Sequence, residues 1–112
     1  MVSWKQVVER SDIIGGDLET VEDGVVYRGP ISEIVVEDGV VYFKSPWTAV
    51  MTENGWERNP IDVCSVREDV CTPQEIGGGR IVFVMPFLGR GTIFPKGDSK
   101  LDPSKVRGLE LS

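Results

Sequence analysis

Asp17 and Glu19 stand two positions apart, and on an extended strand that spacing turns both carboxylates to one face. Paired carboxylates serve acid–base chemistry or a hard cation, and Gly15-Gly16 before them would let a substrate come close to the backbone. The same pair on an edge strand discourages sheet-to-sheet pairing, which is the preferred reading of these residues. A second set of chemically able residues lies in the last third, where glycines alternate with cations in Gly77-Gly78-Gly79-Arg80, Gly89-Arg90-Gly91 and Lys96-Gly97-Asp98-Ser99-Lys100. Glycine lets backbone N–H groups point outward as an anion nest, and arginine supplies paired donors to phosphate or carboxylate. Neither Walker nor dinucleotide-binding spacing is present. A hairpin of the strands at 80–85 and 92–94 would gather Arg80, Arg90 and Lys96 on one edge, with Gly89 and Gly91 shaping the backbone beside them. That edge is the candidate site for an anion or an acidic partner. Trp47 is the candidate exposed aromatic, because Ser45-Pro46-Trp47 follows a strand break, where side chains reach the rim.

Absences narrow the chemistry further. The 112 residues contain no histidine, which removes imidazole catalysis, histidine-dependent triads and histidine-rich metal sites. Two cysteines cannot make a four-cysteine zinc site, and Cys64 and Cys71 fit neither a Cys-x-x-Cys pair nor a disulfide framework, so both are expected as reduced, non-catalytic thiols. No metal and no cofactor is expected. The start, Met-Val-Ser-Trp-Lys-Gln, has no signal-peptide pattern and no segment approaches a membrane span, so the expectation is a cytoplasmic protein without membrane contact. Charge is unevenly spread: residues 1–76 hold six basic against fifteen acidic side chains, net -9, whereas residues 77–112 hold six against three, net +3. An acidic whole, net -6, repels nucleic acid at long range, so phosphate binding would have to be confined to the basic third.

Turn chemistry and periodicity supply the elements that must position these residues. Ser3 is a capping residue, and Trp4, Val7 and Val8 fall on one helical face, which predicts a short helix within residues 1–14, ended by Gly15-Gly16. Asp23-Gly24, Asp38-Gly39 and Asn54-Gly55 lie between β-branched and aromatic runs, each a candidate two-residue hairpin turn. A turn at Asp38-Gly39 pairs Glu33 with Lys44, Ile34 with Phe43 and Val36 with Val41, and sets Ile34, Val36, Val41 and Phe43 on one apolar, core-facing side. The heptapeptide Val-Glu-Asp-Gly-Val-Val-Tyr occurs at 21–27 and again at 36–42. Hairpin composition explains it better than a repeat architecture, though duplication stays open. Arg80–Met85 is the most apolar run and is expected as a central strand, turned back by Gly89-Arg90-Gly91 into Thr92–Phe94. Asp102-Pro103 should open a helical turn in the tail.

The chain therefore reads as one all-β domain over 1–112. It comprises a short N-terminal helix and linker (1–14), an antiparallel sheet or barrel (17–95) and a tail (96–112). Gly29-Pro30-Ile31-Ser32-Glu33-Ile34-Val35-Val36-Glu37-Asp38-Gly39-Val40-Val41-Tyr42-Phe43 resembles the central strands of SH3-like small barrels, the group that includes Tudor-type and KOW-type modules. The resemblance implies a small barrel or a strongly bent meander and carries no binding residues with it. The functional expectation is a non-catalytic interaction or structural module of the kind found among small bacterial or phage accessory proteins, with a protein partner or self-association. The alternative is a nucleic-acid or phosphate binder using the loops of 77–100. An enzyme built on Asp17 and Glu19 is the least favoured reading.

Overall fold

The computed structural model describes residues 2–110. Helix α1 (Trp4–Glu9) precedes β1 (Asp17–Glu22), β2 (Val25–Pro30), β3 (Glu33–Glu37), β4 (Val40–Lys44), β5 (Thr48–Thr52), β6 (Gly55–Asn59), β7 (Val63–Arg67), β8 (Gln74–Glu75), β9 (Ile81–Met85), β10 (Gly89–Phe94) and β11 (Val106–Arg107). One sheet runs β11-β6-β5-β2-β1-β10-β9-β8 and a second runs β3-β4-β7. All pairings are antiparallel except β11 on β6. The fold is all-β with one short N-terminal helix, in two sheets that do not close into a barrel.

Local chemistry explains the elements. Ser3 Oγ accepts from the Gln6 N–H at 3.1 Å while Gln6 Oε1 accepts from the Ser3 N–H at 2.8 Å, a reciprocal cap that starts α1. Asp23-Gly24 and Asp38-Gly39 both take positive φ at their two residues, as a tight turn matched to strand twist requires. The third turn differs from expectation. Thr52 pairs with Gly55, so Glu53 and Asn54 form the tip and of these turn residues Gly55 alone has positive φ. Thr52 Oγ1 selects this register, accepting from the Asn54 N–H at 3.1 Å and donating to the Gly55 carbonyl at 3.0 Å.

The core lies between the larger sheet, the smaller sheet and α1. Trp4 meets Phe83 and Phe43 edge-on, with ring centroids 5.1 and 6.0 Å apart, and Phe43 stacks on Phe83 at 6.1 Å. Ile34, Val41 and Phe43 are buried as the β3–β4 register predicts. Val36 is exposed, because its place beside the turn carries it past the edge of the covering layer.

β9 lies inside the larger sheet between β10 and β8, as its apolar run suggested, with Ile81, Phe83 and Met85 in the core and the alternate Val84 facing solvent. The turn beyond it differs from expectation. The chain reverses at Pro86-Phe87-Leu88, and Gly89-Arg90-Gly91 begins β10. The glycines answer to crowding. A Cβ at Gly89 would lie 1.6 Å from the Val21 carbonyl oxygen, and one at Gly91 2.1 Å from the Phe83 ring. In the tail, Asp102 caps a short 3₁₀ turn over Pro103–Lys105, as its sequence foretold.

Candidate functional site

A cleft of about 310 Å³ is lined by residues of both the larger sheet and the smaller one. Strand alternation turns Leu18, Thr20 and Glu22 of β1 toward it, and Tyr27, paired across from Thr20, joins the same wall. Phe43 and Cys64, partners across β4 and β7, form the facing wall. The loop after β6 closes one side. Thr48 Oγ1 donates to the Ile61 carbonyl at 2.6 Å and accepts from Asn59 Nδ2 at 3.1 Å, which holds Ile61 over the opening. Gly29 packs against the β4–β5 connection, where a Cβ would lie 2.5 Å from the Trp47 carbonyl oxygen.

Charges at the cleft are mostly engaged with one another. Lys44 meets Glu33 at 3.7 Å, and Asp62 receives two bonds from Arg58, at 2.9 and 3.1 Å. Arg28 contributes to the lining, but its guanidinium binds Asp17, Glu19 and Ser99 instead. Glu22 accepts one hydrogen bond, from the buried Thr20 hydroxyl at 2.9 Å. Burial pushes the Cys64 thiol up to about 11, with the nearby Glu22 charge and then Cys71 acting in the same direction. At neutral pH Cys64 is therefore an uncharged S–H, and its nucleophilicity is suppressed. Cys71 is raised by burial as well, and both cysteines are free. An apolar cleft with a few polar groups and a silenced thiol is suited to binding.

None of the candidate site residues Asp17, Glu19, Trp47, Arg80, Gly89, Arg90, Gly91 and Lys96 lines this cleft. Asp17 and Glu19 do share a strand face, yet both receive Arg28: Asp17 Oδ2 accepts from Nε at 3.0 Å and Glu19 Oε2 from Nη1 at 3.3 Å. Asp17, 1% exposed, also accepts from the Leu101 N–H at 2.8 Å, so its role is to anchor the tail. Arg80 forms a two-bond pair with Asp98, at 2.8 and 2.9 Å, which together with the Ser99 N–H draws the Asp98 carboxyl down to about 2. Its guanidinium lies 4.7 Å from the Phe94 ring centroid, with that of Arg28 at 4.3 Å. Lys96 donates its backbone N–H to the Asp12 carbonyl and lays its stem along Gly15. Arg90 sits four residues before Phe94 on β10, about 13 Å along the strand. Of the three cations, Arg80 is paired with Asp98, two residues from Lys96, while Arg90 stands farther along β10, and Gly89 and Gly91 pack against β1 and Phe83. Trp47 is half-buried beside the cleft, with its carbonyl accepting from Ser45 Oγ.

Sequence reasoning passed over Thr20, Glu22 and Tyr27, and named Cys64 only as a reduced, non-catalytic thiol. A signal existed in the Leu18-x-Thr20-x-Glu22 alternation, which faces opposite to Asp17 and Glu19. Among the described residues no helix is long and apolar enough to cross a membrane, and no group of three or more metal-ligating side chains is gathered. No known protein family, curated protein or solved structure matches this chain.

Proposed function

We propose that the protein is a non-catalytic interaction module that binds a ligand or a partner's side chain in the cleft between its two sheets. The observation that carries this reading is the cleft itself: Leu18, Tyr27 and Ile31 on one wall and Phe43, Ile61 and Val63 on the other, with Glu22 held by the Thr20 hydroxyl and the Cys64 thiol protonated at neutral pH. The stretch that resembles SH3-like barrels supplies Gly29, Ile31 and Phe43 to the lining, so that resemblance stays part of the proposal. The two free thiols support a reducing cytoplasmic setting. The phosphate-binding alternative has weaker support, because Arg80 is engaged with Asp98 and Arg90 stands apart. A small-fragment screen followed by amide NMR shifts tests the reading. Shifts gathered at Thr20, Glu22, Tyr27 and Cys64 are expected; shifts confined to the 77–100 loops would reject it in favour of the alternative.

Self-association has one specific support: Phe87 at the β9–β10 tip is fully exposed, with Val84 and Leu88 exposed nearby. Sedimentation of the parent and of Phe87→Ser over a range of concentrations tests it. A concentration-dependent mass that the substitution abolishes is expected, and identical monomeric behaviour of the two would dismiss it.

A further inference from the structure

We propose that the cleft selects an organic cation, an alkyl or aryl chain ending in an ammonium group, with Glu22 as its counter-ion. This rests on the reading of the cleft as a binding site. Four charged residues line the cleft, and three already have partners: Lys44 with Glu33, Asp62 with Arg58, and Arg28 with Asp17 and Glu19. Glu22 is different. Its Oε2 holds the Thr20 hydroxyl at 2.9 Å, while Oε1 receives no hydrogen-bond donor among the described residues and no cation lies within ion-pair distance of either oxygen.

A carboxylate oriented by a buried hydroxyl and lacking a cation is half of a charge-assisted pair. Its surroundings favour the other half. The Cys64 thiol opposite is neutral and brings no charge to answer that of Glu22. Residues 1–76, which supply every lining side chain, carry net -9. An anionic ligand would meet repulsion from both near and far, whereas a cation gains from each. Leu18, Tyr27, Phe43 and Ile61 give the stem an apolar bed, and the Tyr27 ring adds a face that attracts a cation. A volume of about 310 Å³ suits a small ligand or a single long side chain.

The test uses the full chain and three probes of equal length, hexylammonium, hexanol and hexanoate, titrated while amide NMR shifts are followed in the parent and in Glu22→Gln. The expected result is hexylammonium binding about tenfold tighter than hexanol, with hexanoate weakest, and shifts centred on Glu22, Tyr27 and Cys64. In Glu22→Gln the amine's advantage should vanish while hexanol binds as before. Thr20→Val, which keeps the charge and the shape but releases the carboxylate, should weaken the amine about threefold and serves if Glu22→Gln does not fold. Equal affinity for amine and alcohol within the cleft would overturn the cation inference and leave the cleft reading standing. Amine shifts scattered over the acidic surface and unchanged by Glu22→Gln would overturn it as non-specific attraction. Absence of cleft shifts with all three probes would overturn both.

Discussion

Asp17 shows how one side chain can tie distant parts of a chain together. Its Oδ2 receives Arg28 Nε from β2 and the Leu101 N–H from the tail, at almost no solvent exposure. Removing the carboxylate leaves the largely buried Arg28 guanidinium short of a counter-charge and the Leu101 N–H without its acceptor. Asp17→Ala should therefore cost about 3 kcal/mol in urea denaturation, and a loss under about 0.5 kcal/mol would contradict this role. Asp98 offers a gentler case, because it is only half-buried. Its carboxyl is held at about 2 by Arg80 and by the Ser99 N–H, below the ordinary 3.8. A lowered carboxylate pKa stabilises the fold above the unfolded value, and that contribution disappears as pH falls from about 4 through about 2. Following the Asp98 side chain by NMR titration, Arg80→Ala should move the midpoint up toward 3.8; an unmoved midpoint would mean that the pair does not form in solution.

Elements differ in how much of their behaviour is local. The β3–β4 hairpin is specified almost entirely by Asp38-Gly39 and alternation, and its observed register agrees with the one that turn chemistry demands. Alternation, however, names a face and not its depth. Phe43 sits between Trp4 and Phe83, whereas Val36, on the same face beside the turn, lies beyond the covering layer. Phe43→Ala should accordingly lower stability by about 3 to 5 kcal/mol, while Val36→Ala should change it by no more than about 0.5 kcal/mol. Thermal melts of both variants check the contrast, and similar losses would mean that the edge of the core is misplaced. β10 teaches the opposite lesson. Gly89-Arg90-Gly91 has the composition of a turn, but the reversal occurs at Pro86-Phe87-Leu88, with Phe87 itself at φ 65°. The glycines are needed by what lies across from them, the Val21 carbonyl and the Phe83 ring, which composition does not name.

On the scale of the whole molecule, the tail binds the larger sheet on the side away from the cleft. Ser99 accepts from Arg28, Leu101 donates to Asp17, and β11 lies parallel to β6 through Val106 opposite Trp56. These contacts join β1, β2 and β6, the strands that flank the cleft. Removing residues 98–112 should therefore cost more stability than Asp17→Ala alone and broaden the urea transition, since β5 and β6 would lose the support that β11 gives. A truncated chain that unfolds at the parent's midpoint would show that the tail is an appendage.

What the sequence determined by itself was whatever depends on near neighbours in the chain. The Ser3–Gln6 cap acts within four residues, the Asp-Gly turns need two, and alternation along β3 and β4 needs only a period of two, so class, helix and the β3–β4 register were legible. The engagement of charges was not. Arg28 meets Ser99 across 71 positions and Asp17 meets Leu101 across 84, and pairings so remote leave no trace in spacing. Those pairings make Asp17 and Glu19 counter-ions of Arg28 on a strand paired on both sides, where spacing had suggested a solvated edge pair, and the Arg80–Asp98 bond engages one cation of the expected cluster. The cleft, too, belongs to tertiary structure alone. It is lined by strands of two sheets that share a core at Phe43 and Phe83, and only their packing brings Glu22 of β1 near Cys64 of β7 with an oxygen to spare.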